Sequence, residues 1–299
     1  MNQVIFFLVR WTGIFYLLKR TIMKRNVSIV CYHDPAPDVF KKHIEFLNNH
    51  YAFISLENLV SGIRNKDWSK IPNNSLVITF DDGHKGNYKL LETIKKYQIK
   101  PLIFCVSDIV CTNRHFWWKD ITHQNVKLIR EFKNQERLTC LKDKFNYYQD
   151  KEFIDRQALS SSEILELSKI AIFGSHTQFH PILTCCTNEE LKRELLISKK
   201  NIESITNNEC HHFCYPNGDY NENIIKEVKL SGYKSARTID VGWNNINSDP
   251  FKLKITGITD NASKIQLIAQ LTGITMFLRY MFKGGSFSGL YKSIIPRNK

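Results

Sequence analysis

The sequence predicts an α/β fold on a parallel sheet, with about seven strands closing into a (β/α) barrel. Three observations carry that prediction: seven short apolar runs, amphipathic stretches between them, and enough apolar material for a full core. The chain has 299 residues, 42% hydrophobic and 12% aromatic. It is therefore neither a disordered tail nor a collagen-like repeat. At about 150 residues per domain the length allows two domains, but one (β/α) barrel of roughly 250 residues fits it as well.

The apolar runs are 27–31, 76–80, 102–106, 170–173, 212–215, 234–237 and 253–255. Continuous runs this short read as strands buried on both faces, the signature of a parallel sheet. Between them, 39–50, 88–97, 163–167, 188–205 and 221–231 show helical spacing. Alternation of the two signals argues for parallel α/β architecture. Thr187 followed by Glu190 forms a capping box for the 188–205 helix, and Gly232 stands where a glycine stop for the 221–231 helix is expected.

Three segments are set apart from this pattern. Residues 113–162 are charged and aromatic without a clear strand, and read as a helical insertion over one end of the barrel. Residues 1–26 form an apolar and basic appendage whose 4–18 stretch is short for a span of about 20 residues. It lacks the marks of a cleavable signal peptide and reads as an interfacial helix, with a packing helix or an uncleaved anchor as the alternatives. Residues 261–299 form a second basic, apolar appendage, with lipid-headgroup contact or packing as the two readings. The barrel itself is expected over 27–260. No solenoid repeat or low-complexity segment interrupts it.

Lysine and arginine number 42 against 29 acidic residues, a net charge of +13. Such an excess points to an anionic partner. No nucleic-acid recognition motif accompanies the lysines, so nucleic acid is set aside. Much of the charge flanks the apolar termini, which makes peripheral membrane contact through both termini the expectation. Eight cysteines are scattered without zinc-ribbon spacing or the density of a disulfide scaffold, which favours reduced thiols facing the cytosol. A cytoplasmic or inner-membrane-associated location follows.

The polar residues of interest all follow predicted strands. Asp81-Asp82-Gly83 follows 76–80, Ser175-His176 follows 170–173, Pro216-Asn217-Gly218 follows 212–215, and His33 follows 27–31. In a parallel barrel such strand ends converge. Two adjacent carboxylates are costly to bury unless a cation relieves them, although Asp-Asp-Gly is also good turn chemistry. His176 and His180, four apart, lie on one side of a helical turn and reach one ion; with a carboxylate they make a two-histidine, one-carboxylate site with open positions. Gly174 and Pro181 bracket the segment, favouring a specialised turn over an exposed helix. His211 and His212, adjacent in a strand, point to opposite faces and are left out.

Thr79-Phe80-Asp81-Asp82-Gly83, Gly174-Ser175-His176-Thr177-Gln178-Phe179-His180-Pro181 and Phe213-Cys214-Tyr215-Pro216-Asn217-Gly218 resemble, in order, the first three motifs of the polysaccharide deacetylase family, also called the NodB-homology family or carbohydrate esterase family 4. The resemblance runs over about 27–260. It implies a deformed (β/α) barrel and a divalent metal, zinc being the expected ion. The implied reaction is hydrolysis of the N-acetyl group of amino sugars in a polysaccharide or lipid-linked glycan. By that likeness Asp82, His176 and His180 hold the metal, Asp81 is the general base, and the Asn217 backbone N–H, in the loop Tyr215, Pro216, Asn217 and Gly218, meets the oxyanion.

Two departures stand out. The late motif that carries the family's acid histidine corresponds to 255–260, which has none; Tyr32-His33-Asp34 resembles the element that precedes the Asp-Asp pair in permuted members, making His33 the candidate acid. Cys214 stands where an arginine orients the catalytic aspartate, and Arg237 is the candidate substitute, with a structural salt bridge as its alternative role. Trp117, Trp118 and Tyr215 are candidate sugar-stacking walls, with core packing as the alternative. A deacetylase-like protein that binds glycan or membrane with weak or no turnover is the second functional reading.

Overall fold

The computed structural model describes residues 23–119 and 121–273, together with Gly13, Tyr16, Leu17, Arg20 and Thr21. The expected terminal appendages lie largely outside the described residues. Among the described residues no helix is long and apolar enough to cross a membrane.

Among the described residues eight strands form the sheet: β1 (Ser28–Tyr32), β2 (Ala52–Phe53), β3 (Ser75–Phe80), β4 (Leu102–Cys105), β5 (Ile172–Ser175), β6 (His212–Cys214), β7 (Ser235–Val241) and β8 (Leu253–Ile255). Their order is β1-β3-β4-β5-β6-β7-β8, with the short β2 pairing to β3. The β1–β3, β5–β6 and β7–β8 pairs are parallel. Beyond β8 the chain returns to β1, where Val30 pairs with Thr256 in parallel and the Thr256 N–H donates to Ile29 O at 2.7 Å. Seven parallel strands thus nearly close a deformed (β/α) barrel. The runs expected at 170–173 and 234–237 form strands shifted toward the C-terminus, and β2 is too short to leave a periodic signal.

The helices are α1 (Pro37–Asn48), α2 (Leu56–Arg64), α3 (Leu91–Lys96), α4 (His123–Ile129), α5 (Asn134–Phe145), α6 (Ser161–Leu167), α7 (Asn188–Thr206), α8 (Glu222–Leu230) and α9 (Lys264–Leu271). The Thr187 box caps α7 as expected, and reciprocal boxes at Ser55, Ser160 and Ser263 cap α2, α6 and α9. Each satisfies N–H groups that the first turn leaves open. Residues 88–97 are not one helix: a 3-10 segment, Lys85–Leu90, precedes α3. The 113–162 stretch carries α4 and α5 around an apolar cluster of Trp117, Ile121, Ile129, Leu141 and Ile182.

Two compact units divide the chain. One takes in the chain up to Phe80, Lys89–Leu102 and the chain from Arg237; the other takes in Asp81–Tyr88 and Ile103–Ala236. In the first, β1 and β3 are buried throughout, and Tyr32, Phe40 and Phe80 pack ring against ring at 5.3–5.8 Å. In the second, Gly174 of β5 runs so close to its neighbours that a Cβ would lie 2.8 Å from Phe104 Cδ1 and 2.9 Å from His212 O. That approach sets the backbone from which His176 projects.

Candidate active site

The three chemistry-bearing stretches of the second unit, at 81–83, 175–180 and 215–218, follow strand ends. At the end of β3 the chain turns sharply, with Asp82 at φ 69° and Gly83 at φ 76°. A Cβ at Gly83 would stand 2.8 Å from Cys105 Sγ, so glycine is required there by conformation and by space. Backbone N–H groups of Val106 and Leu159 donate to Asp82 O and Gly83 O at 3.3 and 2.9 Å, pinning the turn. The left-handed conformation of Asp82 costs about 1–2 kcal/mol. It places the carboxylate in a pocket where the residue is only 4% exposed.

Three imidazoles surround that carboxylate. Asp82 Oδ2 meets His84 Nε2 at 3.2 Å, while Oδ1 faces His176 Nε2 at 3.6 Å and His180 Nε2 at 3.9 Å. Ligand atoms of Asp82, His176 and His180 all lie within 4.8 Å of one another. The 176–180 segment is no helical turn, contrary to the four-residue spacing argument. Thr177 and His180 have positive φ, and the two rings approach edge to face at 4.6 Å because the loop doubles back.

Protonation follows from the partners. The Cys214 carbonyl can only accept, so the 2.9 Å contact to His176 Nδ1 puts a proton on Nδ1 and turns Nε2 toward Asp82 Oδ1. Burial, then the neighbouring His176, push the His180 imidazole down to about 3 against the pull of Asp82. Burial opposes ionisation of Asp82, but the hydrogen bond and charge of His84, with His180 and His176, outweigh it and hold the carboxyl well below the usual range. A buried carboxylate facing the Nε2 atoms of two imidazoles is a donor set a divalent cation fits, and zinc takes such ligands. The Cys214 carbonyl behind His176 is the kind of partner that would orient a ligating histidine.

Asp81 is buried beside this cluster, with Cys214 Sγ 3.9 Å from its Oδ2. Asp81, His176 and Cys214 form a second grouping of ligand atoms within 4.8 Å. The loop after β6 turns at Asn217, with φ 55°, and the N–H groups of Gly218 and Asp219 donate back to Tyr215 O and Pro216 O. Arg130 holds Asp219 at 3.1 Å from the insertion side.

The aromatic candidates divide. Trp118 is half-buried and lies 4.3 Å from the His180 ring. Trp117 is buried, and its Nε1–H donates to His180 O at 3.0 Å, making it a support of the loop rather than a sugar wall. Tyr215, 1% exposed, is stacked on Tyr220 and set edge-on to Phe213, so its ring is core. The core-packing alternative describes both rings: Trp117 packs in the apolar cluster of the insertion, and Tyr215, just past β6, packs between Phe213 and Tyr220.

In the first unit, His33 is exposed just past β1, and its N–H and that of Asp34 donate to the two carboxylate oxygens of Asp260 at 3.0 and 2.7 Å. Arg237 is fully buried in β7, with Nη1 donating to Thr238 O at 3.2 Å.

Sequence reasoning missed His84 and Asp260. His84 is two residues from Asp82, and only the left-handed turn brings its ring back onto the carboxylate. Asp260 lies in the very stretch searched for a histidine, but its bond to the His33 segment spans 227 positions.

A model of the polysaccharide deacetylase family matches residues 69–236, more than half of the chain. The chain belongs to the polysaccharide deacetylase family. The Bacillus subtilis (strain 168) protein YxkH, named as a polysaccharide deacetylase, is 22% identical over 205 residues, which is 68% of this deacetylase-family chain. The chain spans 58% of the length of that relative. Among solved structures, the Streptococcus pyogenes deacetylase PplD in complex with acetate superposes with a TM-score of 0.62 at 17% identity, covering 83% of this chain and 98% of that one. IcaB from Ammonifex degensii gives 0.60 at 14% identity, covering 83% and 96%. At these identities the superpositions bear on the fold, and they agree with the barrel described above.

Proposed function

We propose that this protein is a metal-dependent hydrolase that removes the acetyl group from N-acetylated amino sugars of a polysaccharide or lipid-linked glycan. The observation that carries the reading is His176 Nε2 set 3.6 Å from Asp82 Oδ1, with its Nδ1 tied to the Cys214 carbonyl and His180 completing the group. Asp82, His176 and His180 would hold a divalent ion, zinc by its ligand preference. Such an ion, when bound, lowers the pKa of water and polarises an amide carbonyl.

The chain's own residues supply the rest. Asp81 takes the proton from the attacking water, for which its buried carboxylate beside the metal candidates is suited. The Asn217 backbone N–H donates to the oxygen that gains charge in the tetrahedral transition state. His33 gives a proton to the leaving amine. Arg237 steadies Asp81 in the role the family pattern gives to the position of Cys214. Trp118 offers the ring against which a sugar face stacks.

Acetate release from N-acetylglucosamine oligomers and from lipid-linked N-acetyl sugars, with and without chelator, tests the proposal. Release abolished by chelator and restored by zinc is expected; chelator-resistant release, or none from any glycan by the metal-loaded protein, refutes it. Glycan binding without turnover is the second reading, favoured by the lack of a histidine in 255–260. Saturable glycan binding with no acetate release by zinc-loaded protein selects it.

A further inference from the structure

The loop between His176 and His180 adopts a conformation that its own sequence disfavours. Thr177 at φ 67° is a β-branched residue in the left-handed region, and His180 at φ 55° is a second non-glycine there. Two of the loop's N–H groups are met locally: Thr177 donates to Ser175 Oγ at 3.2 Å, and His180 donates to Thr177 Oγ1 at 2.9 Å. The other two, on Gln178 and Phe179, converge on a single atom. Glu194 Oε2 accepts both, at 2.8 and 3.0 Å.

Glu194 is an unusual residue for its position. It lies on the buried stripe of α7 with Leu191, Leu195, Ser198 and Ile202, and is 3% exposed. A carboxylate on such a stripe is costly without compensation, and two convergent backbone donors are that compensation. Burial still pushes the Glu194 carboxyl up to about 7, against the pull of those two N–H groups and of Arg137 of α5, itself 1% exposed. Its guanidinium lies over the Trp117 ring at 4.9 Å, and Trp117 in turn donates to His180 O. One helix and the insertion therefore grip the same five residues.

We propose that Glu194 is a positioning residue for the metal site: its carboxylate holds Gln178 and Phe179 so that His176 and His180 face Asp82 together. This rests on the metal-site reading above. It adds a residue that touches neither metal nor substrate and acts through the loop backbone.

The test uses the full-length protein with Glu194→Ala, Glu194→Gln and, as a control on the same helix, Ile202→Ala, which cuts a buried side chain without touching the loop. Zinc affinity is measured by competition with a chromogenic chelator. Amide hydrogen exchange at Gln178 and Phe179 is measured in metal-free protein. Loss of an outer-shell partner lowers metal affinity by about 10–100-fold, and that fall is expected for Glu194→Ala. Exchange at both amides should rise by about tenfold or more relative to the rest of the barrel, because each loses its acceptor. Glu194→Gln should fall between, since its amide oxygen accepts without charge assistance. Ile202→Ala should keep wild-type zinc affinity despite lower stability.

Wild-type zinc affinity or unchanged exchange in Glu194→Ala overturns the proposal, as does an equal zinc loss in Ile202→Ala. If Glu194→Ala does not fold, Glu194→Gln decides on the same two readouts, and wild-type values in both overturn the proposal. If the wild-type protein binds no zinc, the metal-site reading fails separately, and the exchange data alone decide whether Glu194 holds the loop.

Discussion

Gly174→Ala probes how the sheet sets the candidate metal site. Its φ is outside the left-handed region, so the cost is steric alone. The new Cβ would stand 2.8 and 2.9 Å from Phe104 Cδ1 and Cε1, and 2.9 Å from His212 O. Phe104 is fully buried and His212 O belongs to the β6 backbone, so neither gives way cheaply. Overpacking of this kind costs about 1–3 kcal/mol. Relief requires β5 to move off β6, and the strands pair at Ser175 and Phe213, next to His176 and Cys214. The 2.9 Å contact between His176 Nδ1 and Cys214 O would lengthen, and losing such an outer partner lowers metal affinity by about 10–100-fold. Gly232→Ala is the matched control: φ is 84°, the nearest atom to its Cβ is Lys199 Cε at 3.7 Å, and the cost is the left-handed conformation, about 1–2 kcal/mol. Urea unfolding and zinc competition should therefore show similar stability losses but a zinc defect only in Gly174→Ala. Zinc affinity within about twofold of wild type in Gly174→Ala, a change worth less than half a kcal/mol, refutes the coupling.

Three further outcomes are expected. Asp82→Asn removes the charge facing His176 and His180 and should weaken zinc by about 10²–10⁴-fold, the factor for breaking a buried charged pair, whereas Asp81→Asn should retain zinc by metal analysis and lose acetate release. Retained turnover in Asp81→Asn ends its assignment as base. His84→Ala strips Asp82 Oδ2 of its 3.2 Å partner and should weaken zinc by about 10–100-fold; unchanged affinity would make the contact incidental. His212, away from the metal candidates, is pushed down from 6.5 to about 3, by burial first and then by His211 and Lys234. Between those values the unfolded chain gains a proton that the folded chain refuses, so metal-free stability should fall by about 1.4 kcal/mol per pH unit below 6.5 from this group. Urea unfolding at pH 7 and 5.5 should give a shallower pH slope in His212→Phe, and equal slopes would refute the attribution.

The strands and the two family motifs that gather Asp82, His176 and His180 were legible because their signals are local. Apolar runs such as 76–80 can bury both faces only in a parallel sheet, and Asp82, His176 and His180 bring cation chemistry whatever surrounds them. The aromatic walls were not legible. Trp117, Trp118 and Tyr215 look alike as residue types, yet contacts with Arg137, His180 and Tyr220 give one a support role, leave one half-buried and bury the third. The 176–180 segment shows the same limit, since four-residue spacing suits a helix but the hydrogen bonds to Glu194 favour a left-handed turn.

The sequence by itself determined seven of the eight strands, the family and the three groups, Asp82, His176 and His180, proposed to bind a cation. Only the tertiary structure decided which atoms those groups present. The His176 proton sits on Nδ1 because a carbonyl 38 residues away can only accept, and the loop keeps its shape because a carboxylate 15 and 16 residues on gathers its two remaining N–H groups. Residue type carries chemistry along the chain, whereas tautomer, lone-pair direction and backbone strain are set by neighbours that only folding brings into contact.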